Sequence, residues 1–230
     1  MRHIGIVAVS TEGAALCYRT ICAESAAILG PHMHPEITLH TFALGQYMRH
    51  IESSDWHGVA DLMLASTPKL AQCGADFVVC PDNTAHQAMD LVVSKSPLPW
   101  LHIAEEVAEV AAARQFKEVA VLGTRYLMEG PVYPSKFSLR GIRHQIPDVE
   151  DRRRINEIIF QELVYGRFEV ESRRYFQQIV DKLKSRGCDA VALACTEIPL
   201  LITETDSALP VLDSTRILAR AALKRAVANS

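Results

Sequence analysis

The chain has 230 residues, of which 49% are hydrophobic and 22% are charged, and its formal net charge is −3 at neutral pH. This composition is typical of a globular protein with a substantial buried core, arranged as one large domain or two small ones. The small negative charge excludes a general attraction to nucleic acid or to anionic membranes, so we expect neither as a partner.

The chain carries no sequence pattern of a membrane segment or of a metal site. No apolar run approaches the ~20 residues of a membrane-spanning helix, and the N-terminal segment lacks the pattern of a signal peptide. The six cysteines include no C-x-x-C pair, and no two histidines have metal-site spacing. We therefore expect a cytoplasmic protein with reduced thiols and no metal ion.

Short apolar runs alternate with longer helical patterns along the chain. The predicted strands are, in order, 4–9, 37–42, 77–80, 100–103, 119–122, 190–194 and 211–212. The predicted helices are 13–29, 56–73, 103–114, 148–164, 170–186 and 215–228. The strands are rich in Val, Ile and Ala and do not alternate with polar residues, as in parallel sheets buried on both faces. The pattern predicts an α/β fold.

Two segments of the chain resemble each other. Residues 69–84 read KLAQCGADFVVCPDNT and residues 182–197 read KLKSRGCDAVALACTE, which places Asp82 and Cys195 at equivalent positions. Two further pairs of segments repeat in the same order, namely 96–107 with 207–218 and 4–9 with 119–123. Three ordered matches indicate duplicated halves. We expect the first half to comprise 1–97 plus 210–230, and the second half to comprise 98–209.

Small polar residues follow several of the predicted strands. In open parallel sheets, ligands bind beyond the carboxyl ends of the strands. Each of these segments precedes a helical pattern, whose free N–H groups favour an anionic ligand such as a carboxylate. The predicted substrate-binding residues are Ser10, Thr11, Asn83, Thr84, Thr124, Thr196 and Glu197.

Asp82 and Cys195 are the predicted catalytic residues. Cys195 is either a buried structural cysteine or a thiol activated at a helix N-terminus. Asp82 is either a capping residue or a general acid/base. We interpret His86 as a packing or supporting residue rather than a base, and Cys80 as part of the sheet interior.

These motifs resemble the aspartate/glutamate racemase superfamily. Cys195-Thr196-Glu197-Ile198-Pro199 is similar to its C-T-E-[IV] motif, and Asn83-Thr84-Ala85-His86 is similar to its C-N-T-A-H motif. The resemblance implies two pseudo-symmetric three-layer α/β halves with the active site in the cleft between them, and a homodimer. It also implies racemisation without PLP or any other cofactor, by two opposed thiols.

The chain departs from the family pattern at a few positions. Asp82 stands where the first catalytic cysteine is expected, and Ala8-Val9 stands in place of a glycine pair. Ala15 and Leu127 occupy positions where relatives often carry threonine. The substrate side chain therefore need not be that of aspartate or glutamate.

The sequence leaves three functions open. The first is a racemase or isomerase acting on an amino acid, an acidic one by resemblance, through two-base proton transfer at Cα by Cys195 and Asp82. The second is a decarboxylase or isomerase of a related carboxylic acid with Cys195 as its single thiol acid/base. The third is a non-catalytic protein that binds a small molecule.

Overall fold

The computed structural model describes residues 1–228, which form two compact units. Met1–Ile103 and the C-terminal segment from Thr215 make up the first unit, and Ala104–Ser214 make up the second. The boundaries expected from the sequence, at 97/98 and 209/210, lie a few residues earlier. The boundaries differ because strand pairing joins Trp100 to the first sheet and Val211–Asp213 to the second.

Each unit contains one parallel sheet. The strands are β1 (Ile4–Ala8), β2 (Ile37–Thr41), β3 (Phe77–Val79), β4 (Glu118–Leu122), β5 (Arg143–Gln145), β6 (Ala190–Leu193) and β7 (Val211–Asp213). The first sheet has the order β2-β1-β3, and the second has the order β5-β4-β6-β7. This arrangement confirms the predicted α/β class.

Eleven α-helices connect these strands within the described residues. They are α1 (Thr11–Leu29), α2 (Leu44–Glu52), α3 (Trp56–Gln72), α4 (Met89–Val93), α5 (Ile103–Ala113), α6 (Arg125–Met128), α7 (Val132–Ser138), α8 (Val149–Gln161), α9 (Val170–Ser185), α10 (Ile198–Leu201) and α11 (Ser214–Val227). Three 3₁₀ helices lie at Thr84–Ala88, Leu163–Tyr165 and Glu204–Asp206. None of the helices in residues 1–228 combines the length and apolar character of a bilayer span.

The two units repeat the same internal topology. In the first sheet, a single parallel bridge joins Val78 to Trp100 at the place where the second sheet has its fourth strand, β7. β1 corresponds to β4, β2 to β5 and β3 to β6. The strand preceding Asp82 and the strand preceding Cys195 are therefore topologically equivalent, as the sequence repeat predicted.

The strands that carry the site are fully buried. All residues of β1, β3 and β6 are buried, which explains their uninterrupted apolar sequences. In the first unit, the strands pack with apolar side chains of α1 and α11. In the second unit, the core joins β4 and β6 to α8 and α9. These cores hold the carboxyl ends of the strands in fixed positions.

Candidate active site

In the first unit, Ser10 and Thr11 follow β1. The Ser10 side chain accepts a hydrogen bond from the Gly13 N–H at 3.3 Å and caps α1. Thr11 is exposed and lines a cavity of about 310 Å³, whose other lining residues are Ala8, Ala14, Ala15, Tyr18, Leu39 and Thr41. Ser10 therefore begins the helix, and Thr11 faces a largely apolar recess.

Asp82 follows β3, the neighbour of β1 in the same sheet. Its Oδ1 atom accepts the Ala85 N–H at 2.8 Å, so the carboxylate caps the short helix Thr84–Ala88. The side chain is half-buried, whereas Asn83 and Thr84 are buried. Asp82 thus caps this helix, and the capping contact is compatible with an additional catalytic role.

His86 fixes the segment that carries Asp82. Its Nδ1 atom lies 2.7 Å from the Asp82 carbonyl oxygen, and its Nε2 atom accepts the Ile103 N–H at 3.2 Å. This pair of contacts requires the neutral tautomer with the proton on Nδ1. The geometry agrees with the interpretation of His86 as a supporting residue.

Cys80 lies two residues before Asp82 in the chain and is fully buried. Burial, with a smaller contribution from the Asp82 charge, raises the pKa of the Cys80 thiol well above its ordinary value. Cys80 is therefore a neutral thiol inside the unit and a poor nucleophile.

In the second unit, Gly123 and Thr124 follow β4. A Cβ atom on Gly123 would lie 2.7 Å from the Ala194 carbonyl oxygen and 2.7 Å from a Leu127 methyl group. Only glycine permits this close approach between the ends of β4 and β6. Thr124 is buried and caps α6, accepting the Leu127 N–H at 3.2 Å.

Cys195 follows β6 and forms a hydrogen-bonded group with its two successors. Its Sγ atom donates to Glu197 Oε2 at 3.0 Å, and Thr196 Oγ1 donates to the same oxygen at 3.1 Å. Cys195 is 7% exposed and Glu197 is 3% exposed. The other carboxyl oxygen, Oε1, is buried and has no hydrogen-bond partner among the described residues.

The predicted site residues therefore assemble as two groups, one in each unit. Ser10, Thr11, Asp82, Asn83 and Thr84 lie at the carboxyl edge of the first sheet, and Thr124, Cys195, Thr196 and Glu197 lie at that edge of the second. Of the helices that directly follow these site residues, only α1 is long. The others are single short turns, so they supply fewer aligned N–H groups than long helices would.

The sequence interpretation missed the main contact of Glu197. It was predicted as a substrate-binding residue, yet its observed partners are the Cys195 thiol and the Thr196 hydroxyl. A carboxylate two residues after a thiol was the available signal. The contact depends on the turn between β6 and α10, which the local pattern does not predict.

Comparisons with known proteins agree with this fold and these motifs. Residues 5–222 match the family described as Asp/Glu/Hydantoin racemase. A solved structure of a candidate Asp/Glu racemase from Yersinia pestis is 31% identical, covers 99% of this chain and 100% of that chain, and has a TM-score of 0.89. An aspartate racemase homologue from Pyrococcus horikoshii OT3 is 27% identical, with 98% and 99% coverage and a TM-score of 0.84.

A curated relative gives a similar result over a shorter region. The broad specificity amino-acid racemase RacX of Bacillus subtilis (strain 168) is 25% identical over 152 residues, which are 66% of this chain and 65% of RacX. The matched region thus spans just under two thirds of that relative. The expectation that the chain is a member of a family of isomerases is confirmed. The chain belongs to the Asp/Glu/Hydantoin racemase family.

Proposed function

We propose that the protein is a cofactor-independent amino-acid racemase in which Cys195 and Asp82 transfer the proton at Cα. The observation that carries this proposal is the buried Cys195 thiol, which donates to the Glu197 carboxylate at 3.0 Å. A thiol beside a proton acceptor can become the thiolate that abstracts a Cα proton. The topological equivalence of β3 and β6 supports Asp82 as the second group.

The proposed proton transfers balance as follows. Glu197 accepts the Cys195 proton, and the resulting thiolate takes the Cα proton of one enantiomer. The electron pair of the Cα–H bond delocalises into the substrate carboxylate. A protonated Asp82 then donates its proton to the opposite face of Cα. The product leaves a neutral Cys195 thiol, an Asp82 carboxylate and a Glu197 that still holds the proton it accepted, and from this state the other enantiomer reacts in reverse.

Neutral hydrogen-bond donors would stabilise the substrate carboxylate as it gains enolate character. Asn83 and Thr84 are buried beside Asp82, and Thr196 is buried beside Cys195. Donors already in place when charge develops can each contribute a few kcal/mol. We propose that these residues, with Ser10, Thr11 and Thr124, bind the substrate.

The two proton-transfer groups are chemically unequal. Free Asp and Cys side chains have pKa values of about 3.9 and 8.5, a difference of about 6 kcal/mol in basicity. The equilibrium between enantiomers stays at unity, because an enzyme cannot change it. We therefore expect the pH profile of the rate to differ between D and L substrates.

The substrate we propose is an α-amino acid, with aspartate and glutamate tested first. The departures at Ala15 and Leu127 replace threonine hydroxyls by apolar side chains, and RacX carries the description broad specificity. Both observations favour a wider panel that includes uncharged amino acids. An acidic side chain would need a cationic partner, which the nine proposed site residues do not include.

We also propose a cytoplasmic homodimer. Exposed apolar side chains lie together on α1 and β2, where Tyr18 is 43% and Leu39 is 42% exposed. Exposed apolar patches mark association surfaces. Analytical ultracentrifugation should give about twice the chain mass of 25.5 kDa. A mass of one chain at micromolar concentration would contradict the dimer.

One observation favours a second candidate, a decarboxylase with a single thiol. Asp82 Oδ1 already accepts the Ala85 N–H, so its carboxylate also serves as an ordinary helix cap. If capping is its entire role, Cys195 with Glu197 forms the only proton relay. Decarboxylation needs just one such relay, because the departing CO₂ leaves an enolate that takes a single proton.

Incubation of candidate substrates in D₂O separates these functions. The panel contains both enantiomers of acidic and uncharged amino acids and a disubstituted malonate, followed by NMR and chiral chromatography. Deuterium at Cα with inversion supports the racemase, and CO₂ release from the malonate supports the decarboxylase. Saturable binding without either reaction would contradict both and indicate a binding protein.

A further inference from the structure

Ser214, the first residue of α11, has a fully buried hydroxyl that the proposed mechanism does not use. The side chain is 0% exposed, and its Oγ atom donates to the Leu193 carbonyl oxygen at 2.8 Å. Ser214 directly follows β7, and Leu193 is the last residue of the neighbouring strand β6. The hydroxyl therefore connects the carboxyl ends of two adjacent strands, two residues before Cys195.

The sequence repeat indicates that packing alone does not require a hydroxyl at this position. Segment 207–218 repeats segment 96–107, so Ser214 corresponds to Ile103 of the first half. Ile103 is also 0% exposed and belongs to the apolar core of the first unit. An apolar side chain thus fills the equivalent place in one half, and it avoids the desolvation cost of a buried hydroxyl. The hydroxyl in the second half therefore calls for a further explanation.

The first unit connects its equivalent strand ends through a different side chain. There His86 accepts the Ile103 N–H with its Nε2 atom at 3.2 Å, and its Nδ1 atom lies 2.7 Å from the Asp82 carbonyl oxygen. In each unit, a side-chain hydrogen bond thus joins residue 103, or its equivalent 214, to the segment that carries a proposed proton-transfer group. Two different side chains make this connection, which indicates that both segments need to be held in place.

Backbone contacts hold the end of β6 from its other neighbour, β4. The Ala194 N–H donates to the Leu122 carbonyl oxygen at 2.7 Å, and Gly123 permits the close approach of the two strand ends. Ser214 adds a restraint from the side of β7, so the chain directly before Cys195 is held from both adjacent strands. The Cys195 thiol donates to Glu197 over 3.0 Å, and a small shift of this segment would change that contact.

We propose that Ser214 is a positioning residue that acts through Leu193, its hydroxyl holding the end of β6 so that the Cys195 thiol keeps its place beside Glu197. The inference rests on the proposed function, in which Cys195 transfers a proton at Cα. Misplacing a reacting group by about 1 Å can lower a rate by about 10²-fold. Ser214 therefore affects turnover more than substrate affinity, because it controls where the reacting thiol lies.

The first test removes the hydroxyl and measures the local structure. Amide hydrogen exchange followed by NMR reports on the Cys195 segment through Ala194 and Ile198, whose N–H groups donate to backbone carbonyls at 2.7 Å and 3.2 Å. In Ser214→Ala both amides should exchange about ten times faster, while the central amides of α9 keep their wild-type rates. Unchanged exchange at both amides, or an equal acceleration in α9, would overturn the inference.

The second test measures turnover against a matched variant. In an active enzyme, Ser214→Ala should lower kcat by about 10- to 100-fold and leave KM within about three-fold of wild type. Ser172, in the same unit, is 3% exposed and donates to the Glu162 carboxylate. Ser172→Ala should lower the melting temperature but keep wild-type kcat and wild-type exchange at Ala194. A wild-type kcat in Ser214→Ala, or an equal loss in both variants, would overturn the inference.

A conservative variant keeps the test decisive if Ser214→Ala does not fold. Ser214→Cys has a similar shape, and its thiol is a weaker donor than a hydroxyl. We expect faster exchange at Ala194 and a lowered kcat in this variant as well, both by less than in an alanine variant. Wild-type values of exchange and kcat would overturn the inference.

Amide exchange also separates this inference from the proposed function. A wild-type protein that neither exchanges nor inverts any substrate contradicts the racemase, and amide exchange in Ser214→Ala still decides whether Ser214 holds the end of β6. Wild-type turnover together with unchanged amide exchange in Ser214→Ala would contradict the role of Ser214 alone.

Discussion

The Cys195 thiol donates a hydrogen bond to Glu197 Oε2 over 3.0 Å, and the pair is almost fully buried. Thr196 donates to the same oxygen, while Glu197 Oε1 is buried without a hydrogen-bond partner in the described part of the chain. One oxygen therefore accepts from the thiol, and the other is open to an additional donor. The substrate ammonium group could supply that donor in the proposed reaction.

Replacing Glu197 by Gln should remove the acceptor of the thiol proton while keeping the size of the side chain. We expect kcat to fall by about 10²–10⁴, the usual contribution of a positioned acid/base group. Steady-state kinetics with chiral detection measures this change. Glu171→Gln, on the exposed surface of α9, is the control and should keep wild-type kcat. A wild-type kcat in Glu197→Gln would exclude Glu197 from the proton relay.

A substitution at Gly123 tests whether the close packing of β4 against β6 holds Cys195 in place. A Cβ atom there would meet the Ala194 carbonyl oxygen at 2.7 Å, directly before Cys195. We expect Gly123→Ala to lose about 1–3 kcal/mol of stability and to lower activity, because the end of β6 must move. Urea denaturation and kinetics measure the two effects.

Gly45 in α2 offers the matched control. A Cβ atom there meets nothing within 4 Å, so Gly45→Ala should be neutral or stabilise the protein by up to about 1 kcal/mol. Equal stability of the Gly123→Ala and Gly45→Ala variants would show that the close approach of β4 and β6 does not require glycine.

The lowered pKa of the Asp151 carboxyl should make the stability of the protein depend on pH. Burial raises the pKa of this carboxyl, but hydrogen bonds from Tyr175 at 2.6 Å and Lys182 at 3.0 Å outweigh burial and bring the pKa below its ordinary value. A lowered pKa stabilises the fold above the pKa of the unfolded state, about 3.9, and this stability disappears as the pH falls through the folded-state value.

Asp151→Asn should therefore melt below wild type at pH 7, and the difference should shrink as the pH falls below about 4. Thermal unfolding of both proteins from pH 7 to pH 2.5, followed by circular dichroism, checks this dependence. A difference in melting temperature that stays constant over this range would mean that the Asp151 charge contributes no stability.

Much of the fold could be predicted because its central strands are buried on both faces. β1, β3, β4 and β6 appear in the sequence as short apolar runs for that reason. β5 was missed because it is an edge strand of three polar residues, Arg-His-Gln. α2 was missed because it is a short helix of nine residues, of which only Tyr47 and Ile51 are buried.

The sequence predicted which strand ends carry the site residues, but it did not predict the contacts between their side chains. The repeat placed Asp82 and Cys195 at equivalent positions, and both follow equivalent strands in the structure. The contact between Cys195 and Glu197 depends on the turn between β6 and α10, and the local sequence pattern does not predict this turn.

The most direct test of the central claim compares isotope exchange with inversion in two variants. Asp82→Asn keeps an oxygen to accept the Ala85 N–H, so its fold should persist. In D₂O it should still exchange the Cα proton of one enantiomer through Cys195 but should not invert it, while Cys195→Ser should do neither. Racemisation by Asp82→Asn at the wild-type rate, or near-full activity of Cys195→Ser, would contradict the two-group mechanism.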